Sequence, residues 1–309
     1  MDPALHLPQS PVTLSRSQPS QSALTTIEIR VTQYDLDATL NSGQAFGWRK
    51  TERGWEGIIG QRWTCLNSIP QGIRASALAP IADWHWLTHY LQTGVNLSAI
   101  LDTFPQDEAM ASSVRDCPGL RLLRQDPWET LASFILSSTK QIVQIQQICT
   151  LLRSRFGASV EWGVTRDIAH AFPSAQRIAS LSESSLRECK MGFRAPNLLG
   201  AARAVAEGTL SLESLRGKRV DEAREALCQL RGVGPKIANC VLLFAYNFPT
   251  AFPIDVWVRR ALQELYFPKR HPTDAKIDAF AAKHFGSNAG YAQQYLFHAI
   301  RRREGKVRS

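Results

Sequence analysis

The chain of 309 residues lacks any close pair of cysteines. Its six, Cys65, Cys117, Cys149, Cys189, Cys228 and Cys240, stand far apart, with no C-x-x-C spacing anywhere. That argues against zinc sites and iron–sulfur clusters, both of which need closely spaced thiolates. Reduced, mostly buried thiols in an intracellular protein are expected instead. The histidines, His271 included, show no ligand spacing either, so neither a metal nor an organic cofactor is expected. Long apolar runs are also missing. Cys240 to Tyr246 spans seven residues, against the ~20 needed to cross a membrane, and a soluble protein with no membrane partner is expected. Residues 1–24 are rich in Ser, Pro and Gln and lack the continuous apolar core of a secretory signal, so a disordered tail is expected there.

What the chain has in excess is positive charge. Lys and Arg number 36 against 27 Asp and Glu, a formal net charge of +9, with an isoelectric point near 9.5. Such a surface attracts polyanions and loses affinity for them as salt rises, which suits a nucleic-acid partner without singling one out. From Thr26 to about Asn67 the residues alternate and favour strands, in TIEIRV, QAFGWRK, GWEGII and RWTCL, with glycines at the turns. An antiparallel sheet is expected. Trp84 to Phe104 reads as helical, and helical spacing persists from Pro127 to the end, interrupted by a polar break at Ser137 to Lys140. The pattern predicts an α+β protein: a tail over 1–24, a β-rich domain over 25–125, and mainly helical domains over 126–309. No internal repeat is present.

The densest signal is LRGVGPKIANC, Leu230 to Cys240, followed by PIDVWVRR from Pro253. Gly232-Val233-Gly234 reads as a turn that glycine suits, through positive φ and close backbone approach. Pro235 suits the first position of a helix. A glycine hairpin entering a helix, over about 226–246, offers unpaired N–H groups and the positive end of a helix dipole, a grip for phosphate that ignores base sequence. Lys236 lies in the first turn of that helix, and Asp255 follows nineteen residues later. A neutral lysine amine can attack an anomeric carbon and leave a Schiff base. A nearby carboxylate stabilises the positive charge that develops on the sugar. Taken singly, Asp255 reads equally as a helix N-cap and Lys236 as a phosphate-contacting or solvated lysine.

Five blocks in order give the chain a family resemblance: SGQAFGWR (Ser42 to Arg49), LRLLRQDPWETLASFILSS (Leu120 to Ser138), MGFRA (Met191 to Ala195), the hairpin with PIDV, and AGYAQQYLF (Ala289 to Phe297). From about Tyr34 to Arg301 the chain resembles the 8-oxoguanine DNA glycosylases of the helix-hairpin-helix superfamily. The resemblance implies a sheet domain fused to two helical domains, with the substrate cleft between the helical ones. It implies a bifunctional glycosylase and AP lyase acting on duplex DNA with an oxidised guanine, with Lys236 as nucleophile and Asp255 as carboxylate. By the same resemblance the Gly43 carbonyl accepts the N7 hydrogen of the flipped base, Cys240 and Phe297 cover its faces, and Gln293 reads its Watson–Crick edge. Phe193 is the wedge beside the opposite base and Arg194 contacts the estranged cytosine. Where better-known eukaryotic members carry an asparagine run and a second cytosine-reading arginine, this chain has Thr139-Lys140-Gln141 and Gln144, so weaker reading of the opposite base is expected.

The residues by themselves leave plainer roles open: core packing for Cys240, Phe297 and Phe193, a hairpin turn for Gly43, a solvated or phosphate-binding side chain for Arg194. Two other functions stay open as well, an alkylated-base glycosylase on the same scaffold and a non-catalytic DNA-binding module. A monomer is expected, in the cytoplasm of a bacterium or the nucleus of a eukaryote.

Overall fold

The computed structural model describes residues 24–162 and 167–307. The expected tail over residues 1–23 lies outside them, while Leu24 already opens the first strand. Strands β1 (Leu24–Arg30), β2 (Arg49–Thr51), β3 (Gly54–Ile59), β4 (Arg62–Ile69) and β5 (Gly72–Leu78) form one antiparallel sheet in the order β1-β5-β4-β3-β2. Alternation decides its inner face. In β5, Ile73, Ala75 and Ala77 are fully buried while Arg74 is exposed, the period of two that a half-buried strand shows. This strand runs past the expected limit at Asn67, because its alanines have little β propensity and gain their place from burial.

Five short or medium helices follow: α1 (Leu36–Leu40) between β1 and β2, then α2 (His85–Leu91), α3 (Leu97–Leu101), α4 (Glu108–Asp116) and α5 (Pro127–Leu136). The helical stretch expected over Trp84–Phe104 is thus two helices. Gln92 ends α2 in the left-handed conformation and Asn96 starts α3 by accepting from the Ala99 amide, an Asn N-cap. Helix α6 (Ile142–Phe156) resumes after the expected polar break. The chain is not helical from there to its end. Strands β6 (Ser159–Trp162) and β7 (Asp167–His170) pair antiparallel, and Val160 and Ala171 pack against Ile58, Trp63 and Cys65 of the sheet. Four residues are the shortest run in which alternation can be read, and while SVEW of β6 alternates, DIAH of β7 does not.

The remaining helices are α7 (Ala175–Ala179), α8 (Glu183–Leu186), α9 (Ala195–Ala206), α10 (Val220–Cys228), α11 (Pro235–Tyr246), α12 (Val256–Leu265), α13 (Asp274–His284) and α14 (Ala289–Arg303). Helix α11 is buried at every position from Ile237 to Tyr246 and packs on α5 and α10. Helix α14 is buried from Ala289 to Arg301 and packs on α12 and α4. Helices covered on all sides form the centre of a fold, and these two carry most residues of the site described below. No helix among the described residues is long and apolar enough to cross a membrane.

Sheet and helices are stapled by a buried cation. Arg121, 2% exposed, donates from Nε to Gln33 O (3.1 Å), from Nη1 to Val95 O (2.6 Å) and from Nη2 to Thr32 O (2.9 Å), and lies over the Tyr34 ring. Its own carbonyl accepts from Gln44 Nε2 at 2.8 Å, and Gln44 Oε1 accepts from the Leu123 amide at 2.8 Å. Charge-assisted bonds count roughly twice neutral ones. Replacing Arg121 by Met leaves three carbonyls without their donor, and we expect a loss of about 3 kcal/mol or more in denaturant unfolding. An unchanged unfolding midpoint would show that the staple is dispensable.

Candidate active site

The segment between α10 and α11 is a tight hairpin. Gly232 has φ +82, and a β-carbon there would lie 2.2 Å from Asn197 Nδ2 of α9, so this position admits glycine for two reasons. Gly234 differs from the expectation. Its backbone is ordinarily extended (φ −105, ψ −178) and no atom lies within 4 Å of a β-carbon built there. Gly234 is the N-cap of α11, Pro235 is at the helix start, and no side chain among the described residues caps it. The space around Gly234 and the uncapped amides leave room for a phosphate to approach the backbone.

Lys236 sits in the first turn of α11, partly buried. Its Nζ donates to Ser137 Oγ at 2.9 Å and lies 5.3 Å from the centre of the Phe134 ring. Ser137 is the residue where α5 ends, so the polar break noted in the sequence supplies the lysine's hydrogen-bond partner. Asp255 is the N-cap of α12: its Oδ1 accepts from the Trp257 amide at 2.9 Å and the Val258 amide at 2.8 Å. The capping role is therefore present. Burial pushes the Asp255 carboxyl above its ordinary range, opposed by the two amides and by the positive charges of Lys236 and Arg301. Asn239, one turn beyond Lys236, accepts from Arg224 Nε (2.8 Å) and donates to Phe252 O (3.1 Å). It ties the lysine helix to the segment that delivers Asp255.

A second group of residues converges from three elements. The Gly43 loop is held by Gln294 Nε2 donating to Ser42 O (3.0 Å) and by the Gln44 bonds to Thr39 O and Arg121 O. Gly43 itself has φ +78, and a β-carbon there would lie 2.6 Å from Ile142 Cδ1 and 3.3 Å from Phe297 Cε1. Gln293 and Phe297, four apart, share one face of α14. Both are buried, and Gln293 Oε1 has no hydrogen-bond partner among the described residues. Cys240 is buried, and its thiol is pushed up to about 11 by burial, against the nearby Lys236 charge. It is a neutral thiol at neutral pH. Of the predicted pocket residues, then, Gly43 and Phe297 are near neighbours, with no room for a side chain between them, and Cys240 lies within electrostatic reach of Lys236 and Asp255.

The residues expected at the opposite strand are arranged less simply. Phe193 is 60% exposed, on a single 3-10 turn Gly192–Arg194, so core packing is not its role. Arg194, by contrast, is buried: Nε donates to Ser138 O at 2.8 Å, Nη2 to Ser138 O and to Thr139 Oγ1, the latter at 2.6 Å, and Nη1 to Met191 O at 3.1 Å. Of the roles the sequence leaves open for Arg194, the solvated one does not apply, since its guanidinium is buried on protein oxygens. Thr139 is exposed, with φ +55. Gln144 is exposed too, and its Oε1 accepts from the Gln141 amide at 3.1 Å in a capping box that starts α6.

Two residues of the site escaped the sequence reading, Ser137 and Arg301. A serine at a helix end carries no signal by itself. Arg301 had one: it continues the α14 face of Gln293 and Phe297 by a further four residues.

Comparison with known proteins follows this geometry. A family model of the 8-oxoguanine DNA glycosylase N-terminal domain matches residues 26–131, and one of the HhH-GPD superfamily base excision DNA repair proteins matches residues 132–286. The N-glycosylase/DNA lyase OGG1 of Arabidopsis thaliana is 32% identical over 292 residues, 88% of this chain and 78% of that protein. The solved structure of MBOgg1 with a low-affinity DNA ligand superposes with a TM-score of 0.85 at 30% identity, covering 91% of this chain and 99% of the other. Clostridium acetobutylicum 8-oxoguanine glycosylase/lyase, solved with double-stranded DNA containing cytosine opposite 8-oxoguanine, gives 0.82 at 30% identity, covering 88% and 93%. The chain belongs to the HhH-GPD superfamily of base excision DNA repair proteins, in the branch that carries the N-terminal domain of the 8-oxoguanine DNA glycosylases.

Proposed function

We propose that this chain is a bifunctional DNA glycosylase and AP lyase that removes 8-oxoguanine from duplex DNA, acting as a monomer. The observation that carries the reading is a lysine held in the first turn of an uncapped helix beside a desolvated carboxylate that is itself fixed by two amides. The helix-hairpin-helix amides grip a phosphate and the lesion leaves the stack, since its anomeric carbon is unreachable in a duplex. Lys236 Nζ, oriented by Ser137, bonds to C1′ while the C1′–N9 bond breaks and its electron pair leaves with the base. The proton shed by the amine balances the one the base takes up. Negative charge on Asp255 stabilises the cationic sugar between these events. The sugar ring then opens: the C1′–O4′ bond breaks, its electron pair and a proton become the O4′ hydroxyl, and the nitrogen lone pair forms the protonated Schiff base. Loss of a C2′ proton then expels the 3′ phosphate by β-elimination.

For the base, the Gly43 carbonyl accepts the N7 hydrogen that guanine lacks, Phe297 and the neutral Cys240 thiol cover its faces, and the unpartnered Gln293 Oε1 accepts from its Watson–Crick edge. A buried polar atom without a partner is costly, and one that lines a base pocket can have its bond completed by the base. Phe193, exposed on its turn, is the wedge. At the opposite strand Arg194 is committed to Ser138 and Thr139, and Gln144 to its cap, which supports weak reading of the partner base. An alkylated-base glycosylase would release base without nicking, and a binding module would release none; the nucleophile beside Asp255 favours neither.

Borohydride added during turnover should trap Lys236 on an 8-oxoguanine duplex. Lys236→Gln should lose trapping and excision yet keep duplex affinity, because the amides that hold phosphate remain; undiminished trapping would move the nucleophile elsewhere. Since the Asp255 carboxyl is raised, its charged fraction falls with falling pH before ordinary carboxylates protonate. The excision rate should drop on an acid limb above the ordinary carboxylate range. Asp255→Asn should still cap α12, lose roughly 10²–10³ in rate and show no such limb; a retained limb would assign it to another group. Finally, a bidentate arginine–base contact is worth ~1–3 kcal/mol. With Thr139 and Gln144 in place of such readers, single-turnover excision opposite cytosine should exceed that opposite the other bases by no more than about tenfold. A thousandfold preference would contradict the argument.

A further inference from the structure

Arg301 is a buried cation whose charge helps to keep Asp255 ionised, and to which the reaction described so far gives no contact with the base. It is 6% exposed and follows Phe297 by four residues and Gln293 by eight, hence lies on the same α14 face. Nη2 donates to Lys306 O at 3.1 Å, and the guanidinium carbon lies 5.1 Å from the centre of the Phe297 ring. Nη1 is buried with no hydrogen-bond partner, and no carboxylate forms an ion pair with Arg301 among the described residues. That nitrogen sits 3.6 Å from the point where a β-carbon at Gly43 would stand. A charged donor buried without an acceptor is costly, and this one lies close to both Gly43 and the Phe297 ring, the two residues given above to the flipped base.

We propose that Arg301 is a specificity-determining residue of the base pocket, its Nη1 donating to a carbonyl oxygen next to N7 of the flipped oxidised purine. The inference rests on the reading of the pocket given above. If the Gly43 carbonyl meets the N7 hydrogen, a donor beside Gly43 faces the two oxygens that flank N7, at C6 and C8. Both are carbonyls in 8-oxoguanine. When the C1′–N9 bond breaks, the departing base holds the electron pair, and its negative charge spreads onto these oxygens. A fixed cationic donor stabilises that state more than the neutral base. Arginine suits the position, because it stays protonated despite burial, and its Nη2 bond to Lys306 O fixes the fork so that Nη1 points one way. His298, one turn back, adds no charge: burial beside Arg301 and Arg302 pushes its imidazole down to about 4.

The test compares base removal with a step that involves no base. Arg301→Met keeps length without the donor, and Arg301→Lys keeps charge without the fork. Both should lower single-turnover excision of 8-oxoguanine, Arg301→Met by roughly ten- to a hundredfold, while β-elimination on a preformed abasic duplex stays within about twofold of wild type. Affinity for duplexes carrying non-cleavable 2′-fluoro 8-oxoguanine or 2′-fluoro 8-oxoadenine then locates the contact. A loss on both assigns the C8 oxygen; a loss on 8-oxoguanine alone assigns the C6 oxygen, which the adenine analogue replaces by an amine. Excision and affinity unchanged in Arg301→Met would overturn the proposal. So would an equal fall on the abasic duplex, which would mean that Arg301 acts through the fold or through Asp255. A wild-type chain that releases no 8-oxoguanine would sink the underlying reading, and this inference with it, whereas an active wild type with an unaffected variant sinks this inference alone.

Discussion

A carboxylate in surroundings that favour its neutral form is the constraint on which the site depends. Asp255 is desolvated enough for its carboxyl to be raised, yet two backbone amides of α12 and the charges of Lys236 and Arg301 act in the opposite direction. In water such a carboxylate needs no support. Away from water its charge survives only if donors are fixed around it, and much of the helical core provides that fixing. Helix α11 is buried from Ile237 to Tyr246, which fixes the turn at its start, and Ser137 holds the lysine there. Asn239 then links that helix to Phe252, three residues before the aspartate. Capping and chemistry are one arrangement, since the amides that start α12 are those that hold the charge.

The pocket follows the same logic with the sign reversed. Along one face of α14, Gln293 offers an unpartnered acceptor and Arg301 an unpartnered donor, with the Phe297 ring between them in sequence and the guanidinium over that ring. Most buried polar groups find partners inside the protein. Two without such partners lie on one face of α14, and these are the groups that the proposed reading pairs with the flipped base. The sheet half of the chain contributes by holding Gly43 there: Gln44 and Gln294 fix the residues on either side of it, and the Arg121 staple holds the segment that Gln44 binds. The site is thus built from elements distant in sequence, and the loop carrying Gly43 is held by the hydrogen bonds and the burial of its neighbours Ser42 and Gln44.

Local chemistry was legible in the sequence where it is written in consecutive residues. The hairpin, the helix start at Pro235 and the capping potential of Asp255 need only a few neighbours to be recognised, and the structure bears out each. Gly232 needs glycine as expected, but Gly234 does not, because a turn residue's φ depends on which half of the turn it occupies. Strand β5 and the β6–β7 ribbon were not legible: alanines and four-residue strands draw their conformation from the surfaces they pack against. Nothing in MGFRA tells which oxygens the Arg194 guanidinium meets, since Ser138 lies 56 residues away. Ser137 shares that difficulty, and the helical spacing that marks Arg301 shows its face but not its neighbours. Their meaning lies in long-range proximity to Lys236 and Gly43, which a single sequence does not display.

The coupling between Lys236 and Asp255 is most directly measured by following the Asp255 carboxyl carbon by NMR as the free protein is titrated. The account predicts a titration point above the ordinary carboxylate range, moving higher still in Lys236→Met, where the cation that opposes desolvation is gone. An Asp255 that titrates as an exposed aspartate, and is indifferent to the loss of Lys236, would contradict it.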